Sequence, residues 1–133
     1  MTQAPTIQQA TADDAAVVAV MVGELLTEIM DAIGNRAFNF DLAETTARLE
    51  DFLVREKYFV FVARDAGSKP AGFITLCESD ALYAEGTFGI IPELYVRPEF
   101  RSHELGRCLV AEAKAFGLSR GWSRLEVTTP PLS

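Results

Sequence analysis

Residues 94–107 read LYVRPEFRSHELGR and divide into three parts with different patterns. The apolar, β-branched start is typical of a strand, the polar middle of a turn, and the segment from Leu105 of a helix. The first N–H groups of such a helix have no partner within it, and its dipole places positive charge there. The stretch therefore predicts a phosphate-binding loop, with Arg101 and Arg107 adding mobile positive charge. The alternative is a capped surface helix that carries a few arginines.

Before this stretch, the patterns predict a short strand, two helices and a hairpin. The strand covers residues 7–11, and apolar residues at three- and four-residue steps then predict a helix that ends near Gly34. A second helix is predicted to begin at Asp41, which heads a capping-box pattern. Aromatic and β-branched residues with a turn between them predict a hairpin within residues 58–77.

After the hairpin, residues 87–96 predict one apolar strand, and Pro92 inside it requires a bulge or a break because proline cannot donate to the ladder. A helix is then predicted to stop at Gly117, before a last strand over residues 124–129. The element order is β-α-α-β-β-β-α-β, which predicts a single domain over residues 1–133 of the α/β class, an α+β arrangement with a mixed sheet. The last strand–loop–helix–strand unit is expected to be a parallel, right-handed crossover.

Composition and charge narrow the class of protein. The 133 residues are 49% hydrophobic and 23% charged, which suits a globular domain and excludes a disordered or collagen-like chain. The net charge is −7, and residues 1–56 carry ten acids and three bases, whereas residues 57–133 carry nine of each. Such an acidic chain predicts no nucleic-acid partner. The asymmetry predicts either two ligand surfaces of opposite charge or an ordinary solvated acidic helix surface.

Localisation is predicted from what the sequence lacks. No apolar run approaches the roughly 18 residues of a membrane span, and the N-terminus does not have the pattern of a secretory signal. Cys77 and Cys108 each sit in an apolar segment and are expected to be reduced thiols in the core. We therefore expect a cytoplasmic protein without a membrane partner. No His, Cys or Asp cluster has metal-ligand spacing, so no metal is expected.

The quoted stretch resembles the acetyl-CoA-binding motif of the GNAT N-acetyltransferase superfamily, which is Arg/Gln-x-x-Gly-x-Gly/Ala after a Leu-Tyr-Val-x-Pro strand end. The segment PAGFITL, residues 70–76, is similar to the third strand of that fold, and the element order matches from residue 7 to about residue 129. The resemblance implies the acyl-CoA N-acyltransferase fold and direct transfer of an acetyl group from acetyl-CoA, as co-substrate, to a primary amine. The alternative is a non-catalytic acyl-CoA-binding or protein-interaction module derived from that fold.

The resemblance also implies the cofactor contacts. By position, the motif's Arg is Arg101 and its last Gly is Gly106. Backbone amides of one continuous segment are expected to hold the CoA pyrophosphate: Arg101, Ser102, His103, Glu104, Leu105, Gly106 and Arg107. The backbone of Leu94 and Val96 is expected to pair with the pantetheine arm like an added strand.

Two positions depart from the motif. Glu104 stands at its middle Gly, and Ser102 stands where a Gly usually follows the Arg. A side chain narrows the space for close backbone approach, and the carboxylate of Glu104 brings like charge to the diphosphate. If that carboxylate turns outward, CoA binding survives with weaker affinity, and if it turns inward, binding is lost.

The candidates for the chemical step lie around the predicted bulge. Glu93 is the candidate base because family members often place a carboxylate on this strand, and the alternative is a surface Glu beside a bulge. Tyr95 shares the strand face of Glu93 and either lines the acceptor site or packs in the core. Tyr83 is a weaker candidate for substrate contact. His103 is interpreted as a solvated loop residue and Cys108 as a core residue rather than a nucleophile.

The resemblance places the first two helices beside the acceptor, and these helices carry the excess negative charge. We therefore expect a cationic amine, such as a polyamine, an aminoglycoside or a lysine side chain. The family continues after the last strand with a helix, often carrying a Tyr that protonates the thiolate, and two strands, so a C-terminally short version of the fold is expected. Its open strand edge and partly uncovered last helix predict a homodimer with Trp122 and Leu125 as anchors.

Overall fold

The computed structural model describes residues 5–128, and of residues 102 and 103 it describes the backbone alone. The helices and strands are β1 (Thr6–Gln9), α1 (Ala15–Ile33), α2 (Leu42–Val54), β2 (Phe59–Arg64), β3 (Pro70–Ala81), β4 (Gly86–Ile91), β5 (Leu94–Val96), α3 (Leu105–Arg120) and β6 (Leu125–Val127). This order confirms the predicted succession of elements. The strand predicted over residues 87–96 is divided into β4 and β5, with Pro92 in the gap.

The strands of the described residues form one mixed sheet. Its order is β1-β2-β3-β4-β6, and β5 pairs with β3. Every pair is antiparallel except β4 with β6, which run parallel. Since α3 lies between β4 and β6 in the chain, the predicted parallel crossover is confirmed.

The helix boundaries follow from local signals in the sequence. The Asp14 carboxylate accepts the backbone N–H of Thr11 at 2.8 Å in the turn that leads into α1. Gly34 ends α1 with a φ of +66°, a conformation that glycine adopts without a steric penalty. The Asp41 carboxylate accepts the N–H of Glu44 at 2.9 Å and caps α2. None of the helices within residues 5–128 has the length and apolar character needed to cross a membrane.

The sheet is covered on both faces, and each face has its own core. α1 and α2 cover one face, whose buried residues include Val18, Met21, Leu49, Val60, Val62, Phe73 and Tyr95. α3 covers the other, whose buried residues include Phe59, Phe61, Ile74, Leu76, Leu105, Leu109 and Trp122. The strand β2 and residues 71–76 of β3 are buried on both sides, which explains why these segments are apolar without alternation.

The predicted end of the last helix is wrong. α3 continues to Arg120 and ends at Gly121, which has a φ of +77°. Gly117 lies inside the helix because the ring of Trp122 packs against it, and a Cβ at this position would lie 2.8 Å from that ring. Trp122 is only 7% exposed, so it belongs to the core and is not the interface anchor that the sequence predicted.

The predicted burial of both cysteines is also wrong. Cys108 is exposed and Cys77 is half-buried. The buried stripe of α3 contains Leu105, Leu109 and Ala113, at four-residue steps. Cys108 stands one residue away from this stripe, and one residue turns a side chain by about 100° around a helix.

Candidate active site

The centre of the candidate site is the interruption between β4 and β5. β4 pairs with the later part of β3, Cys77–Ala81, whereas β5 pairs with Gly72–Ile74. Pro92 and Glu93 lie between the two ladders. Within residues 5–128, β6 pairs with β4 and not with β5, so this parallel pairing ends at the start of the interruption.

Among the described strands, none therefore lies against the outer edge of β5. The N–H of Thr75 donates to the carbonyl of Glu93 at 2.9 Å, so this carbonyl points towards β3. Because the direction of backbone hydrogen bonding alternates along an antiparallel strand, the N–H and C=O groups of Leu94 and Val96 point away from β3. This is the backbone arrangement that an extended ligand can pair with.

α3 begins beside this edge, after a 3-10 helix over Pro98–His103. Glu104 turns the chain into α3 with a φ of +57°, where a glutamate is strained and a glycine is not. Its side chain is 71% exposed and lies 3.7 Å from that of Arg107. Of the two orientations considered from the sequence, the structure has the outward one. Gly106 has room for a Cβ among the described side chains, since the contact found for an added Cβ is the Val96 side chain at 3.8 Å.

The side chain of Arg101 is paired with α1. Its Nη2 lies 2.7 Å from both carboxylate oxygens of Glu28, and its Nε donates to the Val96 carbonyl at 2.9 Å. The contribution of Arg101 to the charge of the loop stays a prediction. The side chain connects the loop to α1 and to the outer edge of β5.

Glu93 lies at the interruption, on the face that α1 and α2 cover. Its carboxylate accepts the Thr75 hydroxyl at one oxygen and the Tyr58 hydroxyl, at 3.4 Å, at the other. Burial raises the pKa of Glu93, and these two hydrogen bonds lower it only in part. Burial and the nearby Glu93 charge also raise the pKa of Tyr58, so its hydroxyl keeps its proton. A carboxylate with a raised pKa is better matched to accepting a proton near neutral pH.

Thr75 and Tyr58 were not among the residues predicted from the sequence. Thr75 is buried, and its hydroxyl also accepts the backbone N–H of Glu93 at 3.0 Å. This bond gives the N–H of Glu93 a partner where the strand-to-strand hydrogen bonding is interrupted. Its only sequence signal is that it is the one polar residue in the apolar run GFITL, residues 72–76. Tyr58 carries no distinguishing signal, because an aromatic residue before an apolar strand is ordinary.

Cys77 is next to this group of side chains but is not activated by it. Burial and the Glu93 charge raise the pKa of its thiol to about 11. A thiol in this condition is protonated at neutral pH and is a poor nucleophile.

A cavity of about 190 Å³ leads to Glu93 between α1, α2 and the sheet. Most of its walls are apolar: Val18, Val22, Leu26, Phe40, Leu49 and Phe52. Its polar lining at the sheet is Glu93, Thr75 and Tyr58. Phe40 also lines a separate open groove along α1 that contains Glu24, Glu28 and Asp31. The side chain of Phe40 therefore lies between the acidic groove and the apolar cavity.

Tyr95 is 5% exposed, and its hydroxyl hydrogen-bonds to a glutamate of α1 that also pairs with Arg97. Its hydroxyl donates to the Glu24 carboxylate at 3.1 Å, and Arg97 donates to the same carboxylate at 3.0 Å and 2.9 Å. The bonds from Arg97 lower the pKa of Glu24, and burial raises the pKa of Tyr95 to about 12. Of the two roles considered from the sequence, packing describes Tyr95 and lining the cavity does not.

Replacing Arg97 by Ala is expected to lower the free energy of unfolding by about 1–2 kcal/mol, because two charge-assisted bonds in a partly exposed pair are lost. Since the pKa of Glu24 lies below its ordinary value of 4.5, this stabilisation is present above pH 4.5 and is lost as the pH falls through the lowered pKa. Urea unfolding at pH 7 and pH 3 measures both effects. Arg107→Ala, which removes an exposed pair, is the control, and an equal loss in both variants would contradict the prediction.

Tyr83, the weaker candidate for substrate contact, does not belong to the group of side chains around Glu93. Tyr83 sits in the turn between β3 and β4, where its hydroxyl donates to Glu126 at 2.8 Å. The whole of β4 separates Tyr83 from Glu93, a distance of roughly 20 Å at about 3.3 Å per residue. The side chain of His103 lies outside what the structure describes. Among the described side chains, which do not include that of His103, no group of His, Cys, Asp and Glu could hold a metal ion.

The interrupted strand therefore brings together a helix N-terminus beside the edge of β5 and the half-buried carboxylate of Glu93. The family model described as the acetyltransferase (GNAT) family matches residues 24–131. The chain belongs to the GNAT acetyltransferase family. No curated protein sequence matches the chain.

Solved structures agree with this family. A provisionally named acetyltransferase from Arthrobacter sp. FB24 is 32% identical, with a TM-score of 0.77 over 97% of this chain and 77% of its own. A predicted acetyltransferase from Clostridium acetobutylicum, solved with acetyl-CoA, is 14% identical, with a TM-score of 0.78 over 97% and 83% of the two chains. An aminoglycoside acetyltransferase from an uncultured soil metagenomic sample is 19% identical, with a TM-score of 0.72 over 94% and 77%. The last two show the fold alone.

Proposed function

We propose that this acyltransferase moves the acetyl group of acetyl-CoA directly to a primary amine. The observation that carries the proposal is the position of Glu93. Its carboxylate lies at the end of a cavity and at the interruption from which the free edge of β5 begins. A base at this point meets both an amine in the cavity and an acyl group that is held along β5.

The residues around the free edge fit the chemistry of CoA. Leu94 and Val96 direct backbone donors and acceptors outward, as the amides of a pantetheine arm require. The amides from Arg101 to Arg107 surround the start of α3, which favours a diphosphate. The open space at Gly106 allows a close approach to that helix. We therefore propose these residues as the cofactor-binding segment.

Acetyl-CoA supplies an acetyl group as a thioester. The amine nitrogen forms the new C–N bond, the C–S bond breaks, and the amine loses one proton while the departing sulfur gains one. Glu93 receives the amine proton, because its raised pKa makes it a better proton acceptor than an ordinary exposed carboxylate. Tyr58 and Thr75 hold the carboxylate in position by donating to it. We assign Tyr95 a positioning role, since it fixes α1 against β5 through Glu24.

A cationic acceptor remains the proposal that the charge distribution favours. The groove outside the cavity contains Glu24, Glu28 and Asp31. Arg97 and Arg101 neutralise the first two, so the attraction is weaker than the count of acids suggests. The steering of a protonated amine by this groove should weaken as the salt concentration rises. The single domain, the homodimer and the cytoplasmic location stay predictions.

Thiol release from acetyl-CoA in the presence of a panel of primary amines tests the proposal, alongside calorimetric titration of CoA. Binding together with amine-dependent release supports an N-acetyltransferase. CoA binding without release by any amine would identify the non-catalytic module instead. Absence of both would reject the acyl-CoA assignment for this chain.

Replacing Glu104 by Gly is expected to raise the free energy of unfolding by about 1 kcal/mol, because the left-handed backbone then carries no Cβ. It should also raise CoA affinity severalfold, since a carboxylate is removed from beside the diphosphate. Thermal unfolding and calorimetry measure the two effects. Glu85→Gly is the matched control, because Glu85 has a φ of +59° in the turn after β3. That variant should gain stability alone, and an equal affinity gain in both would refute the placement of the diphosphate.

A further inference from the structure

The cavity that ends at Glu93 has a particular distribution of polar groups. Three polar side chains lie at its sheet end, and three more line it from α2 and the preceding loop, namely Asn39, Thr45 and Arg48. The surface between the two sets is aliphatic and aromatic. A ligand that fills the cavity therefore needs one polar end at Glu93 and an apolar body.

The size of the cavity limits that body. Its volume is about 190 Å³, whereas pockets for drug-sized ligands begin near 300 Å³. A single substituted ring or a short branched chain fits this space, whereas an aminoglycoside would place most of its rings outside the cavity.

The charges that line the cavity limit the number of ammonium groups. Among the described residues, Glu93 is the only carboxylate in the lining and Arg48 the only cation. One ammonium group is matched by Glu93. A second one inside the cavity would lie in the apolar section, where its charge is desolvated, or near Arg48. Arg48 is exposed, so its repulsion of a second cation is partly screened by solvent.

Phe40 separates the cavity from the acidic groove. It lies directly against Gly23 of α1, where an added Cβ would be 2.7 Å from its ring. The acids of the groove are therefore on the other side of this ring from the amine that Glu93 would bind. They can attract a cation from solution, but they do not line the space in which a second ammonium group would be held.

We propose that the acceptor is a compact primary monoamine with an apolar body, and that Arg48 excludes amines with a second cationic group. This inference rests on the proposed acetyl transfer and narrows its cationic acceptor to molecules with one ammonium group. It excludes polyamines and aminoglycosides, which the charge distribution of the sequence alone had included.

A matched pair of amines tests the proposal. The probes para-methylbenzylamine and para-xylylenediamine have the same ring and similar length, and only the second carries another ammonium group. With saturating acetyl-CoA, we expect kcat/KM to be at least tenfold higher for the monoamine. Spermidine and kanamycin should be poorer acceptors than either probe. A diamine or a polyamine that equals the monoamine would overturn the inference.

A charge reversal at Arg48 is the second test of the proposal. The Arg48→Glu variant should lower the preference for the monoamine at least fivefold, because the repulsion becomes an attraction. Arg55→Glu is the matched control, since it makes the same change on the same helix region without lining the cavity. A preference that is unchanged by Arg48→Glu, or that changes equally in both variants, counts against Arg48 as the selecting residue.

Failure of the inference and failure of the proposed function give different results. If spermidine or kanamycin is acetylated and para-methylbenzylamine is not, acetyl transfer stands and the monoamine class is wrong. If CoA binds and no amine causes thiol release, the transfer reaction itself is rejected, and the acceptor class with it.

Discussion

Replacing Glu93 by Gln should lower kcat by about 10²- to 10⁴-fold, the usual contribution of a positioned general base. CoA affinity should be unchanged, because the backbone of Glu93 bonds to Thr75 of β3 and its side chain lines the cavity, so neither lies at the outer edge of β5. Gln keeps the shape and can still accept from Thr75, so the fold is retained. Steady-state kinetics and calorimetric titration of CoA measure the two quantities.

The pH dependence distinguishes a base from a structural residue. In the wild type, kcat should rise with pH through the pKa of Glu93, which burial places above the ordinary value of 4.5. Glu93→Gln should lose this rise and keep the dependence that comes from the amine itself. Glu50→Gln, an exposed change on α2, is the control and should keep the wild-type profile. A full rise with pH in Glu93→Gln would show that another group accepts the proton.

Glu93→Gln should also be more stable than the wild type at neutral pH. A raised pKa means that the folded protein binds the Glu93 proton more tightly than the unfolded chain does, so stability falls as the pH rises through the folded-state value. Glu93→Gln does not have this loss, so the two proteins should have equal stability in acid and differ at pH 7. A gain of stability with a loss of activity is the usual behaviour of a residue kept for chemistry.

Replacing Gly106 by Asp should reduce CoA affinity about 100-fold, which corresponds to about 2.7 kcal/mol. Gly106 is the second residue of α3, so the new carboxylate would stand among the amides assigned to the diphosphate. The side chain has room, and an acid in the first turn interacts favourably with the helix dipole, so stability should be unchanged or higher. Opposite effects on binding and stability are expected only if the start of α3 binds an anion.

Gly106→Ala is the control for this change. It adds a Cβ in the same open space without charge, and alanine favours a helix more than glycine does. We expect nearly normal CoA affinity and a small gain in thermal stability. If Gly106→Asp binds CoA as tightly as Gly106→Ala, the diphosphate does not lie at the start of α3.

Local signals predicted most of the fold. Asp41 and Gly34 mark helix ends through hydrogen bonds made within a few residues, so they can be recognised without a structure. Pro92 predicted the interruption of the strand because its missing N–H is a property of the residue itself. The end of α3 was mispredicted at Gly117 because the reason for that glycine is the ring of Trp122, a contact that a helix signal cannot reveal.

The candidate site was predicted in outline and not in its contacts. Glu93 was identified from its place on the predicted strand. Tyr58 and Thr75, which donate to its carboxylate, lie just before β2 and within β3. Arg101 was assigned to the phosphate loop, whereas its guanidinium is bound to Glu28 of α1. Each of these contacts joins residues from different elements. How those elements pack together is not specified by the spacing of residues within one segment.

The sequence by itself determined the succession of elements, the interruption at Pro92 and the strand–loop–helix segment, because these depend on backbone chemistry and on periodicities of a few residues. The tertiary structure decided the environment of Glu93, the outward orientation of Glu104 and the cavity with Arg48 in its lining. Burial, desolvation and charge pairing are properties of atoms that are distant in sequence and close in space. The pKa of Glu93 and the shape of the acceptor cavity therefore exist only in the folded chain.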